Sequence, residues 1–154
     1  YLWRFWRALP LPGRVSVFDR SWYGRVLVER VEKLIAPQDW QRAYSEINQF
    51  EAQLSHNGAI VVKFWLAVTS DEQLRRFHER EESPFKNFKI TPDDWRNRKK
   101  WHNYVQAADE MLARTDTPQA PWHVLSANDK RHARVAVLRH IVESLEKALG
   151  KDKN

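Results

Sequence analysis

The chain has 154 residues, 42% of them hydrophobic, which suits one compact domain built around a single core. The absence of cysteine excludes disulfides and thiolate metal sites, and no apolar run approaches the ~20 residues needed to cross a bilayer. A formal net charge of +6 favours an anionic partner, with nucleic acid, nucleotide and inorganic polyphosphate all open on charge alone.

Three β-rich runs organise the chain, at 14–18, 59–68 and 122–126. Each precedes a helical pattern, and this alternation points to an α/β fold with a parallel sheet. After the first run, the periodicity predicts a helix over about Trp22 to Ile35, with Tyr23, Leu27, Val31 and Leu34 on one face. Pro37 closes that helix, and a second one, from Asp39 to about Leu54, leads through Asn57-Gly58 into the central run. The central run is nearly all apolar rather than alternating, as expected of a strand covered on both faces. Ser70-Asp71-Glu72-Gln73 has the form of a capping box and opens a third helix, on which Arg76 and Arg80 share one face.

Residues 81–92 interrupt the helical pattern and read as a connector or lid tip. A long helix follows from Pro92 to about Ala113, with Thr91 as N-cap and Asp93 and Asp94 at its positive end. The last unit is the strand 122–126, the turn Asn128-Asp129 and a helix from Lys130 to about Leu149. Leu138, Ile141, Val142, Leu145 and Leu149 form its apolar stripe. The expectation is one domain over 1–150 and a flexible tail over 151–154.

The most informative segment is the first β-run, which ends in Asp19 and is followed by Arg20 and Arg25. Ligands of open α/β sheets bind beyond the carboxyl ends of strands. A carboxylate there can hold magnesium while guanidiniums clamp phosphoryl oxygens; alternatively, Asp19 simply caps the next helix. Arg76, Arg80, Lys86 and Lys89 suit a mobile basic lid over reacting phosphates, or a solvated face neutralised by Glu72, Glu79, Glu81 and Glu82. Arg96, Arg98, Lys99 and Lys100 alternate with Trp95 and Trp101, a composition found on nucleic-acid surfaces. Helical spacing favours packing of both tryptophans on the domain instead, so nucleic acid is not the expected partner. The six histidines are scattered without the spacing of a zinc site.

The segment from Phe18-Asp19-Arg20-Ser21-Trp22-Tyr23-Gly24-Arg25 to Arg30 resembles the Walker B region of family-2 polyphosphate kinases. Glu72 to Arg80 and Ala127-Asn128-Asp129-Lys130-Arg131-His132-Ala133-Arg134 resemble that family too, and the pattern is most similar to its polyphosphate:AMP phosphotransferase subgroup. The resemblance implies a P-loop kinase-like three-layer α/β/α sandwich with a parallel sheet and a helical lid, here about 71–114. It implies transfer of a phosphoryl group between inorganic polyphosphate and a nucleotide (AMP, ADP or ATP), with Mg2+ as cofactor; a cytoplasmic setting, which the absence of cysteine permits, is the expected one. It matches Asp19 to the Walker B acid and metal-site residue, Arg20 and Arg25 to phosphate-binding arginines, and Arg76, Arg80, Lys86 and Lys89 to lid positions.

The chain departs from the pattern in one respect. A loop of the form Gly-x-x-x-x-Gly-Lys followed by Ser, Thr or Gly cannot be assembled from Gly13, Gly24, Gly58 and Gly150. In the family that loop and its strand lie upstream of the matching region, so the isolated chain is expected to be inactive. It is also expected to self-associate or to need a tandem-domain partner. Two rival readings fit the same residues: an ATP-dependent small nucleotide kinase, and a non-catalytic phosphate-binding domain of a tandem enzyme.

Overall fold

The computed structural model describes residues 1–150; the expected tail at 151–154 lies outside the described residues. The elements, in chain order, are α1 (Trp3–Trp6), a 3-10 turn (Trp22–Arg25), α2 (Val28–Val31), α3 (Pro37–His56), β1 (Lys63–Ala67) and α4 (Ser70–Glu81). A second 3-10 turn (Asn87–Lys89) follows, then α5 (Pro92–Lys99), α6 (Trp101–Thr115), β2 (Trp122–Ser126) and α7 (Lys130–Gly150). They form two compact units: residues 1–61 with 102–121, and residues 62–101 with 122–150.

The first unit is helical. Pro37 occupies the first turn of α3, where its missing N–H costs nothing. Ala43, Tyr44, Ile47, Phe50 and Glu51 form the buried face of α3 at helical spacing. Gly58, at φ +83°, ends the helix in the left-handed region, and the Ala59 N–H donates to the Leu54 carbonyl at 3.0 Å. From α6, Ala107, Ala108 and Met111 are buried in the same unit, and the two helices are tied where Asn48 Nδ2 donates to the Arg114 carbonyl at 2.9 Å. Each fully buried side chain of the size of Ile47 or Met111 contributes roughly 1.5–3 kcal/mol by leaving water.

The second unit contains a two-stranded parallel sheet, with Lys63 opposite Trp122 and Ala67 opposite Ser126. Phe64 and His123 pair across the strands, and the His140 ring of α7 lies 4.3 Å from that of His123. On the opposite strand face the Lys63 ammonium sits 4.8 Å from the centroid of the Trp122 ring. The fold is therefore mixed α/β with a parallel sheet, as expected.

Several expected elements take a different form. The run 14–18 is not a strand. Val15 and Val17 are 80% and 88% exposed, and no ladder partner lies beside the run among the described residues. A β segment without a neighbour leaves its backbone groups to water and gains nothing from its side chains. The helix expected over 22–35 is instead a 3-10 turn followed by the single turn of α2, interrupted at Leu27 (φ −108°, ψ −93°) and ended by Lys33 at φ +55°. Trp22 and Tyr23 are drawn into the core by a buried acceptor on α3, and that tertiary pull overrides a weak local preference in a stretch rich in valine.

The central strand is shorter than its apolar run, since only the residues that face β2 are paired. The cap of α4 falls on Thr69, whose hydroxyl accepts from the Glu72 N–H at 3.3 Å, one residue before the expected Ser70. The helix expected over 92–113 breaks at Lys100, whose N–H turns to the Asn97 carbonyl. The break coincides with the division of the chain, since α5 belongs to the second unit and nearly all of α6 to the first. The capping box at Thr91 and Asp94, with Pro92 in the first turn, forms as expected. The stripe on α7 does not face a core: Leu138, Val142, Leu145 and Leu149 are exposed, while Ala133 and His140 serve the seat on the sheet. Two strands cover only a narrow track of a helix.

Candidate functional site

In the first unit, Asp19 follows the run 14–18 and Arg20 sits at φ 66°, a left-handed backbone that non-glycine residues seldom adopt. Both side chains are exposed, and neither makes a hydrogen bond or ion pair among the described residues. A solvent-facing carboxylate and guanidinium thus follow one another along the chain without internal partners among the described residues. Arg25 is placed differently. Its Nη1 donates to Glu29 Oε2 at 2.9 Å, and its guanidinium lies 4.7 Å from the centroid of the Tyr1 ring. It is already engaged within its own unit.

The frame behind these residues is a buried polar knot. Glu51 is 1% exposed, and its Oε1 accepts from Trp22 Nε1 at 2.9 Å and from the Tyr23 hydroxyl at 2.7 Å. Burial, then the Glu51 charge, pushes the Tyr23 hydroxyl well above its ordinary pKa, so it stays a donor at any physiological pH. The knot fixes the turn directly after Asp19 and Arg20. A second brace joins Arg30 to Glu110 at 2.7 Å and to the Tyr44 hydroxyl at 2.8 Å. Burial raises the Glu110 carboxyl, but hydrogen bonds from Arg114 and Arg30 outweigh it and leave the pKa lowered.

In the second unit, Arg76 and Arg80 lie one turn apart on α4. Arg76 Nε donates to Glu72 Oε1 at 2.7 Å, and its Nη2 donates to the carbonyls of Ala127 and Asn128 at 2.6 and 2.9 Å. The Asn128 side chain completes the connection, with Oδ1 accepting from the Thr69 N–H at 3.0 Å and Nδ2 donating to Thr69 Oγ1 at 3.3 Å. The loop after β1 is thereby locked to the loop after β2. Arg80 has no ion pair or hydrogen bond among the described residues, and Lys86 offers its ammonium to solvent. Lys89 is exposed and lies 5.6 Å from the centroid of the Phe88 ring.

The sequence reading missed Asn128 and Thr69 as partners and Glu51 as a buried acid. Asn128-Asp129 reads as a turn, and Asp129 does cap α7, its Oδ1 accepting from the Arg131 N–H at 2.7 Å. The reading of Trp95 as a packing residue fits the geometry: its ring meets Phe77 edge-on at 5.2 Å, and its Nε1 donates to Glu81 at 3.1 Å. Nearby, Arg98 holds the Ser70 carbonyl at 2.8 Å and Gln73 Oε1 at 3.0 Å. An open groove of about 510 Å³ runs between Glu81, Trp95, Arg96 and Lys99.

The model of the family described as Polyphosphate kinase 2 matches residues 1–153. The chain belongs to the polyphosphate kinase 2 family. It is 62% identical over 153 residues to a Polyphosphate:AMP phosphotransferase of Pseudomonas syringae pv. tomato, covering 99% of this chain and 31% of that protein. It is 36% identical to a GDP-polyphosphate phosphotransferase of Mycobacterium tuberculosis, covering 96% of this chain and 50% of that one. Among solved structures, a Pseudomonas aeruginosa PA01 chain assigned as a polyphosphate kinase 2 superposes with a TM-score of 0.94 at 59% identity. That match covers 97% of this chain and 32% of the other. The polyphosphate kinase 2 of Arthrobacter aurescens TC1 gives a TM-score of 0.88 at 39% identity, covering 97% of this chain and 52% of that one. The chain thus spans about a third of the length of the polyphosphate:AMP relatives it matches. Among the described residues, no helix is long and apolar enough to cross a membrane.

Proposed function

We propose that this chain is the part of a polyphosphate-dependent nucleotide phosphotransferase that supplies the Walker B acid and the lid cations. The reaction breaks the terminal P–O bond of polyphosphate and forms a new P–O bond to a phosphate oxygen of the nucleotide, leaving the charge on the shortened polyphosphate. AMP is the acceptor this reading favours, because relatives named Polyphosphate:AMP phosphotransferase share 55–62% identity, whereas those named for ADP, GDP or NDP share 34–38%. The observation that carries the proposal is the free pair Asp19 and Arg20, an acid and a guanidinium without internal partners, within a member of this family.

In this reading Arg20, Arg80, Lys86 and Lys89 neutralise phosphoryl oxygens, the electrostatic task that dominates phosphoryl transfer. Arg25, matched to a phosphate-binding position, and Arg76, matched to a lid position, first serve their own units: Arg25 orients through Glu29 and Tyr1, and Arg76 holds two backbone carbonyls. Mg2+ fits the donor set. Among the described residues there is no cluster of three or more acidic or histidine ligands, and magnesium is commonly held by one or two carboxylates together with substrate phosphates. Asp19 is the carboxylate we assign to it. The ion, when bound, would neutralise charge on the phosphate oxygens.

The inferred P-loop sandwich needs a glycine-rich phosphate loop that these 154 residues do not contain. We therefore expect the chain alone to turn over poorly compared with one extended upstream. A coupled assay on both, with polyphosphate of graded length or ATP as donor, tests the reading. Polyphosphate-dependent formation of ADP from AMP by the extended protein, lost at least about a hundredfold in Asp19→Asn with the fold retained, is the expected result. Strict dependence on ATP would favour a small nucleotide kinase. Unchanged activity in Asp19→Asn would favour a non-catalytic role, and equal turnover by the two chains would refute the need for the loop.

A further inference from the structure

We propose that Asn128 is a positioning residue of the transfer reaction: by fixing the start of α4 it sets where Arg80 meets the reacting phosphates. This role rests on the reading of Arg80 as a lid cation. Thr69 follows β1 and Asn128 follows β2, so both stand at the carboxyl ends of paired parallel strands, the edge at which open α/β sheets bind ligands. The strands stay in step up to that edge, where the Ala127 N–H donates to the Ala67 carbonyl at 2.7 Å. Beyond it the Asn128 side chain spans the gap. Its Oδ1 accepts from the Thr69 N–H and its Nδ2 donates to Thr69 Oγ1, the same oxygen that accepts from the Glu72 N–H to cap α4. Arg76, oriented by Glu72, returns from the second turn of α4 to the carbonyls of Ala127 and Asn128. A closed ring of hydrogen bonds therefore ties the first two turns of α4 to the end of β2, all of it inside the second unit.

Arg80 lies one turn beyond Arg76 on the same face and makes no ion pair or hydrogen bond among the described residues. Its position is set by the helix that carries it. At roughly 1.5 Å per residue it stands about 15 Å along α4 from Ser70, so a tilt of about 5° at the base displaces it by more than ~1 Å. A misplacement of about 1 Å at a group acting on the transition state costs up to ~100-fold in rate. The fold of α4 does not depend on Asn128 alone. From α5, Arg98 holds the Ser70 carbonyl and Gln73 Oε1, and Trp95 packs on Phe77. Truncating Asn128 thus leaves α4 folded and docked on α5 while releasing its alignment to the sheet edge.

Steady-state kinetics with polyphosphate and AMP on the protein extended upstream, together with hydrogen–deuterium exchange across α4, test the role. Asn128→Ala should lower kcat at least about tenfold, change KM for either substrate by less than about threefold, and speed exchange over 70–76. Asn128→Asp keeps an acceptor for the Thr69 N–H, and the Thr69 hydroxyl can turn to donate to it, so kcat should stay within about twofold of the parent. Because Asn128 acts through Arg80, the Asn128→Ala change should cost no more than about twofold in an Arg80→Ala background. Asn128→Ser, polar but too short to reach Thr69, takes the place of Asn128→Ala should circular dichroism show that variant unfolded. An undiminished kcat, unchanged exchange over 70–76, or losses that add fully in the double variant overturn the proposal. With Arg80→Ala slow, those outcomes leave the lid reading standing. A parent without polyphosphate turnover, or an Arg80→Ala variant as fast as the parent, defeats the lid reading and this role together.

Discussion

Glu51 carries a carboxylate into the centre of a helical core, where an unpaired acid would be costly to keep charged. The Trp22 and Tyr23 donors compensate for that burial and, in return, hold the turn that follows Asp19 and Arg20. Replacing Glu51 with Ala strands the indole N–H and the hydroxyl in an apolar setting, so urea unfolding should show a loss of about 3 kcal/mol. Glu51→Gln keeps an acceptor oxygen of the same shape and should cost less than half as much; an equal loss for both would mean that the charge, not the acceptor, matters. The sequence holds a faint sign of this residue. Glu51 falls at helical spacing with Ala43, Tyr44 and Ile47, an acid in line with the apolar face. Its donors lie 28 and 29 residues earlier, and no local pattern joins them. Asp19 is the opposite case: its candidacy rests on its place after a β-rich run and on a family motif, although the run itself forms no strand.

At the scale of elements, the start of α4 concentrates charge. Hydrogen bonds from Arg75 and then Arg76 hold the Glu72 carboxyl far below its ordinary 4.5, at about 2. Arg75 also pairs with Glu79 one turn on. Because the folded value of Glu72 lies below the unfolded one, its contribution is present above pH 4.5 and is lost as pH falls towards 2. The urea midpoint should accordingly drop through that acid window, and Glu72→Gln should flatten the drop while leaving the midpoint at neutral pH lower than in the parent. An unchanged acid profile in the variant would contradict the assignment. The helix start was visible in Ser70 to Gln73, but the cap slipped to Thr69 because the Asn128 side chain engages its backbone and hydroxyl. Local spacing narrows a helix start to within a residue; a partner 59 positions away decided which one.

For the whole molecule, 26 basic against 20 acidic residues create a field that attracts polyanions. If Arg20, Arg80, Lys86 and Lys89 meet phosphates, polyphosphate affinity should fall at least tenfold between about 50 and 200 mM salt, as measured by titration calorimetry. A flat response would remove them from the binding role. Composition, the helices at 37–56 and 70–81, the strand 122–126 and the family motifs around Asp19, Arg76 and Asn128 were legible in the sequence alone, because they depend on local periodicity and residue chemistry. Tertiary structure decided the rest. A strand needs a neighbour to satisfy its backbone, which is why 14–18 formed no strand while 63–67 paired with 122–126. A helix face is buried only if something covers it, and two strands are too narrow to cover the apolar side of α7. A cation is free for a ligand only if no carboxylate or carbonyl nearby has taken it, and this separates Arg20 and Arg80 from Arg25 and Arg76.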